Sequence, residues 1–362
     1  MAQGSQYGSY RGRKPVGKVL LAIILILVIA VSGLFMFLQR YMVYDENGNL
    51  KLELPGRDGD QISPPKPPVS SEDITIIIDR KEPEEPQMPE LPVEPPPAPE
   101  VRGVLLLADT PLTDWAAVCE ELPEDISGVC LTVKDADGIV YVDSQAAARL
   151  SRRIMSLKST TERAVADLTE TESLHTIARI TCLLDPKVPI LDVRALGVRQ
   201  RTGYLFYDDT GASWLDPTKD SVRMYLTGLA RECAEMGFDE ILLSHVSYPI
   251  SGELDKINYG ENPKEENLAD FVQAVRDALT GQNVRLSLEL PAEVILTGGN
   301  EAAGQSLKVL APLVDRIYTE TTAADAAMLA ELVKIAAPET DFAAIVADAE
   351  GIATDYLLTG QS

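Results

Sequence analysis

Hydrophobic residues fall into three regimes along this chain. Residues 19–38, VLLAIILILVIAVSGLFMFL, form one uncharged apolar run. At about 1.5 Å per residue, a helix of that run spans the roughly 30 Å hydrocarbon core of a bilayer. From about residue 41 to 100 apolar side chains thin out among prolines and acids. After residue 101, short β-branched or leucine-rich runs (103–108, 128–133, 176–182, 240–246, 284–290, 314–319 and 342–347) alternate with stretches of helical period. One such stretch sets Val222, Tyr225, Leu226, Leu229, Ala230, Cys233 and Met236 on one face, and Leu268, Phe271, Val272, Val275 and Leu279 repeat the pattern.

This alternation predicts parallel strands joined by helices that pack on the outside of a sheet. Seven strands, and an eighth over 356–359, fit a (β/α)8 barrel of the usual size of about 250 residues. No clear helix separates the last two runs, so the closing part of the barrel is expected to be atypical. A doubly wound open sheet is the competing arrangement. Against it, ADTPLTDW follows the first strand where a dinucleotide fold needs G-x-G-x-x-G.

The apolar run is too uniformly hydrophobic for a buried core helix, which needs polar relief on one face. It also exceeds the ~7 to 15 residue core of a signal peptide, and no clear A-x-A site follows it. We therefore expect a transmembrane helix over 19–38, with the lipid bilayer as its partner. Arg11, Arg13, Lys14 and Lys18 precede it with no acid, so the positive-inside rule makes 1–18 a cytoplasmic tail and places the rest outside the cell. Residues 39–100 contain SPPKPPVSSED and EPEEPQMPELPVEPPPAPE, a composition that favours an extended polyproline stalk. Two β-prone pieces interrupt it, LKLEL at 50–54 and ITIIID at 74–79. The second suits pairing with an open sheet edge. The barrel then occupies 101–362.

Charge narrows the partners. The formal net charge is −24, of which −20 falls on residues 101–362 once +5 on residues 1–40 and −9 on residues 41–100 are set aside. A surface this negative repels a phosphate backbone, which excludes nucleic acid. Cys119, Cys130, Cys182 and Cys233 show no CxxC pair and sit among apolar neighbours, so zinc spacing is missing and buried free thiols are expected. Cys119 and Cys130 are the nearest pair for a disulfide outside the cell. No cofactor is indicated, and a calcium site built from carboxylates is the one metal site the residue types allow.

In a parallel barrel the site forms at the C-terminal ends of the strands. The residues there are Lys134 and Asp135, Arg179 and Asp185, Ser244 and His245, Glu289, and Glu320. The segments GVCLTVKDADGIVYVDS (128–144), TIARITCLLDP (176–186), LFYDDTGASWLDP (205–217) and GFDEILLSHVSYP (237–249) resemble the glycosyl hydrolase-like barrel family of membrane-anchored bacterial proteins, related to the alpha-amylase superfamily. The resemblance covers most of 101–320 and rests chiefly on Trp214, Asp216, Pro217 and the GFDEI run. It implies a carbohydrate-directed barrel.

Several positions depart from that family's pattern. Thr132 stands for the first aspartate of an I-D-V-K-D run, while Lys134 and Asp135 remain and Arg179 matches. The fourth strand of the family ends F-D-Y-V-R-F-P. Here it reads Leu243, Ser244, His245, Val246, Ser247, Tyr248, Pro249, without the acid or the arginine. Glu289 falls where the family has an aspartate, and Ala302 where one precedes Gly304 and Gln305.

Glycoside hydrolysis generally uses two carboxyl groups, about 5 Å apart for retention and more for inversion. Glu289 is the candidate for one, and Ser244 is not a substitute for the other, because an unactivated hydroxyl is neither ionised nor acidic near neutral pH. Strand alternation sends His245 away from the mouth if Ser244 points into it. The expected ligand contacts are Lys134, Asp135, Arg179, Trp214, Asp216, Ser244 and Tyr248, with Trp214 and Tyr207 as stacking platforms. Structural roles compete for these residues: a Lys134–Asp135 turn, Arg179 in a barrel layer, and Asp216 as cap of the helix near Asp220. His175, at a strand start, reads as structural.

Taken together these features favour an anchored barrel with a degraded hydrolytic site that binds a cell-wall or envelope glycan. Two alternatives stay open. One is an active glycosidase with Glu289 as acid and a second carboxylate from Asp135, Asp185 or Glu320. The other is a scaffold bound to an envelope protein.

Overall fold

Eight short parallel strands close on themselves in the computed structural model. It describes residues 42–44, 50–52, 101–106, 112–122, 126–156, 159–171 and 173–359. The chain divides into two units, 1–90 and 91–362. In the first, Met42–Tyr44 pairs antiparallel with Leu50–Leu52, so the LKLEL piece does begin a strand. The apolar run 19–38, most of the stalk and the ITIIID piece lie outside the described residues.

In the second unit the strands are β1 (Arg102–Leu106), β2 (Gly128–Lys134), β3 (His175–Thr181), β4 (Glu240–Ser244), β5 (Arg285–Glu289), β6 (Arg316–Glu320), β7 (Asp341–Val346) and β8 (Asp355–Thr359). Each pairs in parallel with its neighbours in sequence, and β8 pairs with β1. A closed barrel results, with no open edge of the kind a further strand would need. Helices fill the crossovers: α1 (Trp115–Glu121), α2 (Gln145–Leu150), α3 (Ser159–Thr169), α4 (Asp220–Glu235), α5 (Lys264–Ala278), α6 (Ala292–Thr297) and α7 (Ala323–Ala336). Residues 347–354, between β7 and β8, carry no helix, which is the atypical closure the sequence predicts.

Local chemistry sets the helix starts. Asp114 accepts the Ala117 N–H at 3.1 Å and Ser144 that of Ala147 at 3.0 Å, each satisfying a first-turn donor. Thr322 does the same for Asp325, whose carboxylate accepts the Thr322 hydroxyl in return. The apolar faces of α4 and α5 bury Leu226, Leu229, Phe271 and Val272 against the outward side chains of the strands, among them Ile241, Leu243 and Leu286.

Inside the barrel the side chains stack in layers. The middle is apolar: Cys130, Ile177, Leu242, Tyr318, Ala343 and Leu357 pack together. Gly103 permits β1 to approach β2, since a Cβ there would lie 2.2 Å from the Gly128 carbonyl oxygen. The layer toward the N-terminal ends is ionic. Glu240 on β4 accepts from Arg316 Nη1 on β6 at 2.8 Å and lies 2.7 Å from His175 Nε2 on β3. It also accepts the Ser287 hydroxyl, and Arg316 Nη2 lies 3.4 Å from Asp355. Burial alone would raise the Glu240 carboxyl, but the hydrogen bond from His175 and the Arg316 charge hold it at about 2. His175 therefore has the structural role its position suggests.

Candidate functional site

At the C-terminal ends of the strands the chain places one polar ring and one cleft. The ring begins with a bulge between Thr132 and Lys134, where the β2–β3 register shifts and Lys134 comes to pair with Ile180. Lys134 is completely buried there. Its ammonium donates to the Thr181 carbonyl at 2.8 Å and sits 3.0 Å from Asp185 Oδ2, with both side chains fully buried. Asp185 Oδ1 accepts the backbone N–H groups of Lys187 and Val188 at 2.9 and 2.8 Å. The partner of Lys134 is thus Asp185 and not the adjacent Asp135. Asp135 instead closes its own turn, accepting from Ile139 N and from the Tyr141 hydroxyl.

Arg179 and Glu289 meet across the mouth. Arg179 Nε donates to Glu289 Oε2 at 2.8 Å and Nη2 to Oε1 at 3.1 Å, a two-pronged charge-assisted pair. Both carboxylate oxygens of Glu289 are engaged by this fork.

Ser244, at the position of the missing acid, is completely buried, and its hydroxyl lies 3.3 Å from that of Thr181. The expectation for His245 is overturned. It adopts φ 52°, the one positive φ outside glycine among the described residues. A left-handed residue breaks the period-two alternation, so the imidazole lines the cleft together with Glu289 while its Nδ1 stays 3.4 Å from Ser244 Oγ. Burial lowers the His245 pKa, Arg179 and Lys134 lower it further, and Glu289 opposes them. A Ser–His contact exists, yet the serine is sealed from any substrate.

The cleft has a volume of about 340 Å³. Its walls are Trp214, His245, Ser247, Tyr248, Glu289, Glu293, Asn300, Gln305 and Glu320, among others. A long connection from β3 to α4 supplies Trp214. Backbone bridges Leu184–Trp214 and Gly197–Leu215 fold this segment back on itself. Trp214 Nε1 donates to Asp208 Oδ2 at 3.0 Å, and Asp208 Oδ1 also holds Thr210 and Ala212. Burial would raise the Asp208 pKa, and these hydrogen bonds bring it below the usual carboxylate value. Trp214 is therefore fixed at the rim and buried, whereas Tyr207 is half exposed and does not line the cleft.

Asp216 does not cap α4. Its Oδ1 accepts from Thr218 N and Oγ1, and Oδ2 lies 3.2 Å from Lys219, which is itself the residue preceding the helix. Tyr248 is buried against Tyr259 edge to face, and its hydroxyl accepts from Asn267 Nδ2 at 3.1 Å. Burial pushes that phenol well above its ordinary value.

A small hairpin, Gly299–Asn300 with Gln305–Ser306, forms the far wall. Tyr248 N donates to the Ala303 carbonyl, and Gln305 Nε2 donates to that of Val246 at 3.1 Å. Behind the hairpin lies a second depression of about 660 Å³, bounded by Lys264, Glu265, Glu301 and Ser306, with Asn300 and Gln305 common to both.

Of the residues predicted from sequence, the cleft gathers Glu289, Glu320, Trp214 and Tyr248, with Arg179 reaching it through Glu289. Lys134, Asp135, Asp216 and Ser244 lie outside it, in the supporting network. Sequence reasoning missed His245, Glu293, Asn300 and Gln305. The Pro291-to-helix step and the Gly304-Gln305 turn were the available signals for the last three; nothing local marks His245. Among the described residues no group of three His, Cys, Asp or Glu is placed to hold a metal ion. All four cysteines are free, Cys119 being exposed and the others buried.

Several solved structures resemble this chain. A hypothetical protein from Ruminiclostridium thermocellum is 26% identical over 51% of this chain and 96% of its own, with a TM-score of 0.41. The PgaB (BpsB) glycoside hydrolase domain from Bordetella bronchiseptica is 16% identical over 61% and 74%, at 0.41. Ega3 from Aspergillus fumigatus, solved in complex with galactosamine, is 12% identical over 69% and 78%, at 0.37. No curated protein matches. The positions that carry the sequence resemblance, from the bulged β2 through the Trp214 loop to the end of β6, are those spanned by a family model matching residues 121–321, so the chain belongs to the family described as "Putative glycosyl hydrolase domain".

Proposed function

We propose that this barrel binds a carbohydrate chain at its mouth without cutting it. The observation that carries the reading is the state of the two positions where hydrolysis needs its carboxyl pair. One is Ser244, buried and held within the protein. The other is Glu289, whose two oxygens face the Arg179 fork, and a guanidinium only donates. A general acid needs a proton-bearing oxygen turned to the glycosidic bond. What remains is a recognition surface: one indole edge, polar amides on the hairpin, and an adjoining depression that gives a chain room to continue. We place the unit outside the cell, on a proline-rich stalk behind the apolar segment 19–38, which makes cell-wall or envelope glycan the class of ligand.

The test uses the full-length protein in detergent against insoluble polysaccharides such as peptidoglycan and chitin. Retention without release of reducing sugar is expected, and Trp214→Ala should weaken it about fivefold, the equivalent of roughly 1 kcal/mol of aromatic contact. A second reading, an active glycosidase, is favoured by Glu289, Glu293 and Glu320 sharing one cleft. Sugar release that disappears in Glu289→Gln would establish it and overturn the first. If neither retention nor release occurs and an envelope protein is captured instead, the barrel is a scaffold.

A further inference from the structure

We propose that His245 is the specificity residue of the cleft, hydrogen-bonding a hydroxyl of the bound sugar through Nε2; this rests on the carbohydrate-binding reading above. The argument starts from the backbone. At φ 52° a residue with a Cβ is strained, and glycine would not be. Such strain persists only where the surroundings over-determine it. Here they do: the Ser244 and His245 carbonyls accept from Cys182 N at 2.8 Å and Leu183 N at 3.1 Å. One residue on, the Gln305 amide holds the Val246 carbonyl.

The imidazole is half-buried and opens on the cleft. Among the described residues the ring's one hydrogen bond is the long Nδ1 contact to Ser244, whose hydroxyl continues to Thr181. Among the described residues Nε2 has no hydrogen-bond partner. Because burial and the two nearby cations favour the uncharged ring, with Glu289 opposing, it presents either a donor or an acceptor to a ligand, according to which nitrogen carries the proton. A neutral, two-way hydrogen-bonding edge beside a carboxylate matches a sugar hydroxyl, which both donates and accepts. It also has no use for an apolar ligand.

The strain makes the role separable from a structural one. Full-length wild type, His245→Gly and His245→Gln are compared for thermal midpoint without glycan and for retention on insoluble peptidoglycan and chitin. Removing the side chain at a left-handed position should raise the midpoint by about 2–4 °C. At the same time retention should fall at least tenfold, with Gln, which keeps an amide near the Nε2 position, recovering part of it. If His245→Gly is retained as well as wild type, the inference is wrong and the carbohydrate reading stands. If the midpoint falls along with retention, the histidine is a structural residue and the inference is again wrong. A wild-type protein that no polysaccharide retains overturns both.

Discussion

Replacing Glu240 by Gln removes one charge from the ionic layer inside the barrel while preserving shape. The carboxylate is fully buried, with Arg316 Nη1 at 2.8 Å and His175 Nε2 at 2.7 Å. Burial opposes ionisation, and the His175 hydrogen bond and the Arg316 charge outweigh it, holding the group at about 2 against an ordinary 4.5. By linkage, that displacement contributes about 3 kcal/mol to folding near pH 7. The same magnitude is typical for breaking a buried ion pair by removing one partner. The sign follows from the depressed value: the contribution is present above pH 4.5 and is lost as pH falls toward 2, so it is smaller at pH 3 than at pH 7. Urea unfolding of wild type and variant, followed by the fluorescence of Trp115 and Trp214, measures the difference at both pH values. A difference below about 1 kcal/mol at pH 7, or one equal at pH 7 and pH 3, would refute the assignment of that stabilisation to the Glu240 charge.

Two further outcomes are expected. Gly304→Ala forces φ 72° on alanine and sets its Cβ 2.6 Å from Lys264 Cβ. It should cost more than about 1 kcal/mol of unfolding free energy in urea titration, and a cost under half of that would show that the hairpin moves freely. Thiol labelling of the native protein should modify Cys119 alone. Burial seals Cys130, Cys182 and Cys233, pushing Cys182 up to about 12 and the other two higher still. Labelling of more than one thiol before denaturant is added would contradict that burial.

The candidate site was legible in position more than in arrangement. Strand ends are local features, so Glu289, Arg179 and the serine in place of an acid could all be found by reading along β3, β4 and β5. Their partners could not. Arg179 reaches a residue 110 positions away and Lys134 one 51 positions away, through side-chain directions that the barrel's shear and the β2 bulge decide. His245 shows the limit most clearly. Period two is a property of extended backbone, and one left-handed residue reverses it, so the rule that sent this ring away from the cleft failed where the chain leaves the strand. The GFDEI run is a partial success: Asp239 accepts from Thr176 N and Oγ1, and Glu240 enters the ionic layer, roles that need β3 alongside.

Composition and periodicity alone determined that residues 101–362 form alternating strands and helices and which helix faces turn inward; the family resemblance added that the fourth strand ends without an acid. These are facts about neighbours in the chain, and burial of apolar faces makes them readable. Which carboxylates share the cleft, which charges neutralise one another in the interior, and where the imidazole points were decided only when the eight strands closed, because a closed barrel brings together residues whose separation in sequence carries no information about their distance.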